Sequence, residues 1–242
     1  HPVAAVRATI HRAGHPALFM VDTISSLASI DFRMDEWQVD LVVGGGQKGL
    51  MLPSGLCFTG ISRKGLGASQ SAQMPRGYWD WRPMLTGEKQ TKWPGTAPVH
   101  LYYGLQESIR MLEEEGLDQV FRRHHRLGEA TRAAVRVWAE GGGPELYPSD
   151  PKVESDSVTA VLMPEGHDPE AIRKLCMDRF NVSLGGGLGA LNGKVFRIGH
   201  LGDLNEPMIL GTLAAIEMAL GLARVPHKKG GVDAAMAYLA AE

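Results

Sequence analysis

Cysteine is scarce in this sequence. Cys57 and Cys176 are the only two among 242 residues, and they lie far apart. This argues against a disulfide scaffold and a cysteine-based metal site, and it suits a reducing, cytoplasmic setting. Long apolar runs are missing as well. None approaches the roughly 20 residues needed to cross a bilayer, so no membrane anchor is expected. Charge of one sign is also lacking, because 25 Lys and Arg face 27 Asp and Glu. That balance argues against a nucleic-acid partner, and no charged tail is present. The opening residues, His1 to Arg7, carry neither an initiator methionine nor a signal-peptide pattern. They read as an amphipathic helix entered in mid-fold, so the chain is expected to be a segment of a longer protein.

An apolar fraction of 44 % is sufficient for a sizeable core. The first stretch alternates helix and strand signals. Val3–Ala13 has helical periodicity and stops at Gly14. Ala17–Val21 and Asp40–Val43 are short continuous apolar runs, which suit strands buried on both faces. A third run, Gly55–Ile61, follows the Pro53-Ser54-Gly55 turn. Residues 64–97 read as a long irregular loop, with Tyr78-Trp79-Asp80-Trp81 packing it down or serving function. From His100 to about Ala139 the pattern is helical, with a break near Gly116. His124 and His125 fall there. Neighbours on a helix point in different directions, so they read as solvated surface and no metal site is expected.

Beyond Gly141-Gly142-Gly143 the signals change. Val158–Met163, Val182–Leu184 and Lys194–Ile198 read as strands, and Pro169–Phe180 and Asn205–Leu222 as helices. The expected fold is α/β: part of a large domain with a mainly parallel sheet over residues 1–120, and a smaller α+β domain over 121–242.

Open α/β sheets bind ligands beyond the carboxyl ends of their strands. Asp22 closes one apolar run, and Lys48 follows another after Gly44-Gly45-Gly46-Gln47. A lysine that can form an imine and an acid that can face a pyridine nitrogen are what a pyridoxal-phosphate (PLP) enzyme requires. On spacing alone other readings stay open. Asp22 could cap a helix, and Lys48 could be solvated. A phosphate loop fits less well, because Gly49 and not Ser or Thr follows Lys48. Arg197 stands in the apolar run Val195-Phe196-Arg197-Ile198-Gly199. An inward arginine needs an anion, either a substrate carboxylate or a structural acid.

Three stretches sharpen this reading: Leu18 to Leu27 (LFMVDTISSL), Gly46 to Leu56 (GQKGLMLPSGL) and Gly193 to Gly202 (GKVFRIGHLG). Together with Pro226 to Val232 (PHKKGGV) they resemble class V aminotransferases of PLP fold type I, nearest the serine–glyoxylate and alanine–glyoxylate group. The resemblance runs along nearly the whole chain. It implies that Lys48 holds PLP as a Schiff base and shuttles the substrate proton. It implies that Asp22 pairs with the pyridine nitrogen, Ile24 packs on the ring and Gln47 bonds near ring or phosphate. Thr96 would reach the phosphate of the neighbouring subunit of a homodimer. Trp93 stands where relatives often carry tyrosine in that role, which puts its phosphate contact in doubt. Arg197 would bind the substrate carboxylate. The implied reaction moves an amino group from a donor, serine first among serine, alanine and aspartate, to glyoxylate. The resemblance also implies that the phosphate turn and the ring-stacking aromatic belong to a segment ahead of His1. Two further readings are a fold type I lyase or desulfurase, and an inert fragment of such an enzyme.

Overall fold

The computed structural model describes residues 2–86, 95–147 and 150–241. The chain divides into two compact units: His1–Leu27 with Phe32–Met111, and Ala28–Asp31 with Leu112–Glu242.

The first unit is built on a three-stranded sheet. β1 (Met20–Asp22) runs parallel to β2 (Leu41–Gly45), with Asp22 opposite Val43. β3 (Cys57–Ile61) lies antiparallel on the other side of β2, with Cys57 opposite Gly45. The part of the sheet that this chain holds has one parallel and one antiparallel pair. The return from β2 to β3 carries no crossover helix, and a strand that returns directly must pair antiparallel. The same unit holds α1 (Val3–Arg12), α2 (Arg63–Ser71), α3 (Arg82–Thr86) and most of α4 (Val99–Glu115).

Residues 64–97 are thus not irregular throughout. Ser62 starts α2 by accepting the Gly65 N–H at 3.1 Å. The far end of the sheet is tied by Asp40. Its carboxylate accepts the Phe19 N–H at 2.8 Å and pairs with Arg7 of α1 at 3.3 Å and Lys64 of α2 at 3.5 Å. Burial raises the Asp40 carboxyl, but the Phe19 N–H and the two cations outweigh it and pull it below its ordinary value.

The second unit carries an antiparallel sheet in the order β4 (Glu145–Tyr147), β5 (Val158–Leu162), β7 (Val195–Gly199), β6 (Gly185–Gly186). The expected strand over 182–184 sits slightly later, as the two-residue β6. Packed with it are α5 (Leu117–Glu140), α6 (Pro169–Phe180), α7 (Glu206–Leu222) and α8 (Gly231–Ala241). Asp168 and Asn205 cap α6 and α7, each followed within two residues by a proline. Trp138, Val161, Ile172, Phe196, Ile198, Leu213 and Ile216 are fully buried and form the core. The Pro226–Val232 stretch is anchored through Glu217, which accepts from Trp138 Nε1 (2.9 Å), Gly230 N–H (2.8 Å) and Val232 N–H (3.2 Å).

The histidine pair divides. His125 is exposed, as expected. His124 is buried, with Nδ1 donating to the Val120 carbonyl (2.7 Å) and Nε2 accepting the Gly202 N–H (3.0 Å). The solvated-surface reading fails for His124 because it continues the buried stripe of Val120, Leu127 and Thr131.

Candidate active site

The residues singled out near Lys48 gather at the carboxyl ends of β1 and β2. Asp22 is the last residue of β1, and its Oδ1 accepts the Ile24 N–H at 2.8 Å. The chain then turns, because both the N–H and the hydroxyl of buried Thr23 donate to the Val43 carbonyl at 2.8 Å. That double bond pins the Asp22–Ile24 corner to β2. Thr23 is the residue that sequence reasoning missed here; a hydroxyl directly after a strand-ending acid was the available signal.

From β2 the chain passes through Gly46 and Gln47 to Lys48. The loop is closed by three backbone bonds: Met51 N–H to Lys48 (2.9 Å), Leu52 N–H to Gly46 (2.9 Å) and Gly46 N–H to Leu56 (3.0 Å). Met51 sits at φ 60°, a left-handed conformation that costs a non-glycine residue about 1–2 kcal/mol. Such strain collects at functional turns. Buried Ser108 of α4 steadies the loop by donating to the Leu50 carbonyl at 2.6 Å.

Ile24 and Gln47 converge on Gly45. A Cβ placed there would lie 3.0 Å from Gln47 Oε1 and 3.2 Å from Ile24 Cδ1. Glycine therefore leaves bare backbone between an apolar and a polar side chain. Lys48 is half-buried, and among the described residues its ammonium has no hydrogen bond or ion pair. Asp22 is exposed, and its Oδ2 has no partner among them either. Asp22 and Lys48 thus offer an uncommitted carboxylate oxygen and a free amine beyond the ends of two adjacent strands, while Ile24 and Gln47 offer an apolar branch and an amide beside Gly45. This donor set fits a flat cationic ring bearing an aldehyde.

The remaining candidates lie elsewhere. Thr96 is exposed, three residues ahead of α4, and no hydrogen bond ties it to the Gly45–Lys48 corner. Trp93 lies outside the described residues. Arg197 belongs to the second unit, on β7, where its Nε donates to the Gly186 carbonyl at 2.7 Å. Its two terminal amino groups have no hydrogen bond among the described residues. Cys176 is buried in α6, and burial pushes its thiol up to about 11, so it is a poor nucleophile at neutral pH. Among the described residues no group of His, Cys, Asp and Glu is arranged to hold a metal ion. No helix among them is long and apolar enough to cross a membrane.

The family model for class V aminotransferases matches residues 1–192. This chain belongs to the class V aminotransferases. Among curated relatives of this class V chain, it is 45 % identical over 237 residues to the L-aspartate–glyoxylate aminotransferase of Paracoccus denitrificans, covering 98 % of this chain and 59 % of that one. It is also 45 % identical to the serine–glyoxylate aminotransferase of Methylorubrum extorquens, covering 98 % and 60 %. Its fold superposes on the crystal structure of pyridoxamine–pyruvate aminotransferase from Mesorhizobium loti with a TM-score of 0.88 at 28 % identity, over 99 % of this chain and 61 % of that one. The chain thus spans about three fifths of the length of the relatives it matches. The α/β fold expected from the sequence is that of this family.

Proposed function

We propose that this chain forms part of a PLP-dependent transaminase that passes the amino group of an amino acid to glyoxylate, yielding glycine and a 2-keto acid. The observation that carries the proposal is the half-buried Lys48 amine. It has no protein partner among the described residues, and it lies three residues beyond Gly45, the end of β2, where Ile24 and Gln47 converge. PLP, when bound, supplies an aldehyde that a lysine amine can hold and a cationic ring that accepts electron density from the substrate α-carbon.

The roles of the side chains follow from their chemistry. Lys48 would hold the cofactor through its amine, and the same amine would serve as the base that takes up and gives back the substrate α-proton. Asp22 offers its uncommitted carboxylate oxygen to the pyridine nitrogen. Ile24 offers an apolar branch to the ring face, and Gln47 offers both an acceptor and donors. Thr96, and Trp93 outside the described residues, are assigned to the phosphate of a neighbouring subunit in a homodimer. Arg197 offers a planar fork to the substrate α-carboxylate.

Serine is the proposed donor. Aspartate is the second reading, supported by the equal identity to a relative named for aspartate and glyoxylate. A desulfurase reading is disfavoured, because Cys176 is buried with a raised thiol and Cys57 lies within β3. A donor panel of serine, aspartate and alanine against glyoxylate, run on the PLP-loaded protein, ranks the donors. Lys48→Ala is expected to abolish both transamination and the visible absorbance of lysine-bound cofactor. A variant that kept that absorbance would remove Lys48 from its role.

A further inference from the structure

Arg197 is held by its surroundings in an unusual way for a strand arginine. β6 and β7 pair with Gly185 opposite Arg197, so residue 185 and the arginine share one face of the sheet. Gly185 has no side chain to occupy that face. A Cβ built on it would lie 3.3 Å from Arg197 Cβ, 3.4 Å from Nε and 3.5 Å from Nη2. The arginine side chain therefore lies along the bare backbone of Gly185. The next residue then fixes its rotation, because the Gly186 carbonyl accepts the Nε–H at 2.7 Å. With Nε committed, the two terminal amino groups remain. Among the described residues neither is hydrogen-bonded.

The strand that does this is itself braced from its other face. Arg173 of α6 donates from Nε to the Leu184 carbonyl at 2.9 Å and is ion-paired to Glu170. A Cβ on Gly186 would point to that side, 3.0 Å from Arg173 Nη1 and 3.2 Å from Glu170 Oε1. The two-residue strand is thus flanked by an arginine on each face. One arginine is neutralised by its own helix. The other has no acidic partner among the described residues.

We propose that Gly185 and the Gly186 carbonyl are the positioning elements that set Arg197 for a carboxylate: the missing side chain makes the bed, and the carbonyl sets the rotation. This rests on the reading of Arg197 as the substrate-carboxylate residue. A guanidinium tethered through Nε loses little further freedom when a carboxylate docks on its two amino groups, which is where preorganisation adds affinity. A methyl at 185 asks Arg197 to give by a few tenths of an ångström, and a larger side chain on that face asks for more. A β-branched residue suits a strand, so Gly185→Val perturbs the arginine more than it perturbs β6.

The test uses the PLP-loaded holoenzyme and propionate, a monocarboxylate without an amino group, as a probe. Gly185→Val is expected to weaken propionate binding and to raise KM for both amino donor and glyoxylate by roughly tenfold, with kcat at saturation within about threefold of wild type. Gly185→Ala, whose methyl meets Arg197 at 3.3 Å, should give a smaller change in the same direction, and it provides the reading if the valine variant does not fold. Lys174→Gln, an exposed residue of α6 paired with Asp178, should leave both quantities unchanged. Propionate affinity that is lost in Arg197→Ala but unchanged in the Gly185 variants overturns the positioning role alone. Affinity unchanged in Arg197→Ala overturns the carboxylate reading, and this proposal with it. A Gly185 variant that lowers kcat with KM unchanged also overturns it, because misplacing a binding group must appear in KM.

Discussion

His200 shows how far a single side chain can depart from its appearance in sequence. It follows the β7 run directly, inside a stretch in which no role was assigned to it, yet it is fully buried. Its Nδ1 donates to the Asp156 carbonyl at 3.0 Å, and its Nε2 accepts from the Thr159 hydroxyl at 2.9 Å. Burial, and after it the Arg132 guanidinium, pushes its pKa down to about 4 from an ordinary 6.5. The unfolded chain therefore binds the proton first. Stability is unaffected above the unfolded value, falls as pH drops from about 6.5 to about 4, and levels off below that, a loss on the order of 3 kcal/mol. His124 is shifted down for the same leading reason, so it acts in the same direction. Asp40 and Glu217 have lowered values, so their contribution is lost only below the ordinary carboxylate range. Denaturant unfolding at pH 7, 5.5 and 4.5 should thus show a progressive loss, and His200→Gln should flatten that slope. An unchanged slope in the variant would mean that another group is responsible. His124 was legible after all, from its place in the stripe Val120, Leu127, Thr131. His200 was not, since burial at a strand end depends on partners distant in sequence.

At the scale of elements, legibility followed the source of each element's stability. β1 and β2 were visible as continuous apolar runs, although β1 is not buried on both faces in this chain, since Met20 and Asp22 are exposed. α5 was visible because its apolar stripe is long. α2 was invisible. Its sequence, RKGLGASQS, holds two glycines and no apolar stripe, so its stability comes from the Ser62 cap and from close packing of Gly65, where a Cβ would lie 3.0 Å from the Asp40 carbonyl. Residues at the candidate site were legible as types, since an acid and a lysine after apolar runs stand out. What places them, the Thr23 N–H and hydroxyl bonds to Val43 and the closed loop around Lys48, is hydrogen bonding that a run of residue types does not display. Asp40 allows an element-scale prediction. It joins α1, the start of β1 and α2 through Arg7, Phe19 and Lys64. Asp40→Ala leaves the Phe19 N–H and two cations without their shared acceptor, which should cost about 2–4 kcal/mol. Amide exchange should quicken in β1 and β2 of the first unit and stay unchanged in β5 and β7 of the second. Equal acceleration in both units would show that Asp40 stabilises the chain as a whole and not this sheet.

For the whole molecule, the two units differ in the core each can build. The second unit holds a continuous set of fully buried apolar side chains, from Leu127 and Trp138 to Phe196 and Ile216. Among the described residues the first has a smaller set, with Leu52, Leu56 and Leu101 clustered against Phe58 and Leu105, and Val39, Leu41 and Leu50 also buried. Buried apolar area is the main favourable contribution to folding, so the second unit should be the more stable. Every residue proposed to hold the cofactor's ring and aldehyde, Asp22, Ile24, Gln47 and Lys48, belongs to the first. A ligand that binds only the folded state stabilises the unit that holds it, by about 2.7 kcal/mol at a hundredfold excess over Kd. Thermal unfolding should therefore show a lower transition from the first unit and a higher one from the second. PLP should raise the lower transition and leave the higher one in place. In Lys48→Ala the rise should shrink, because the covalent part of the binding is gone while the contacts of Asp22 and Gln47 remain. Calorimetry with and without PLP, with hydrogen exchange to assign each transition, checks this. A PLP-induced shift confined to the upper transition would place the cofactor in the second unit and overturn the site.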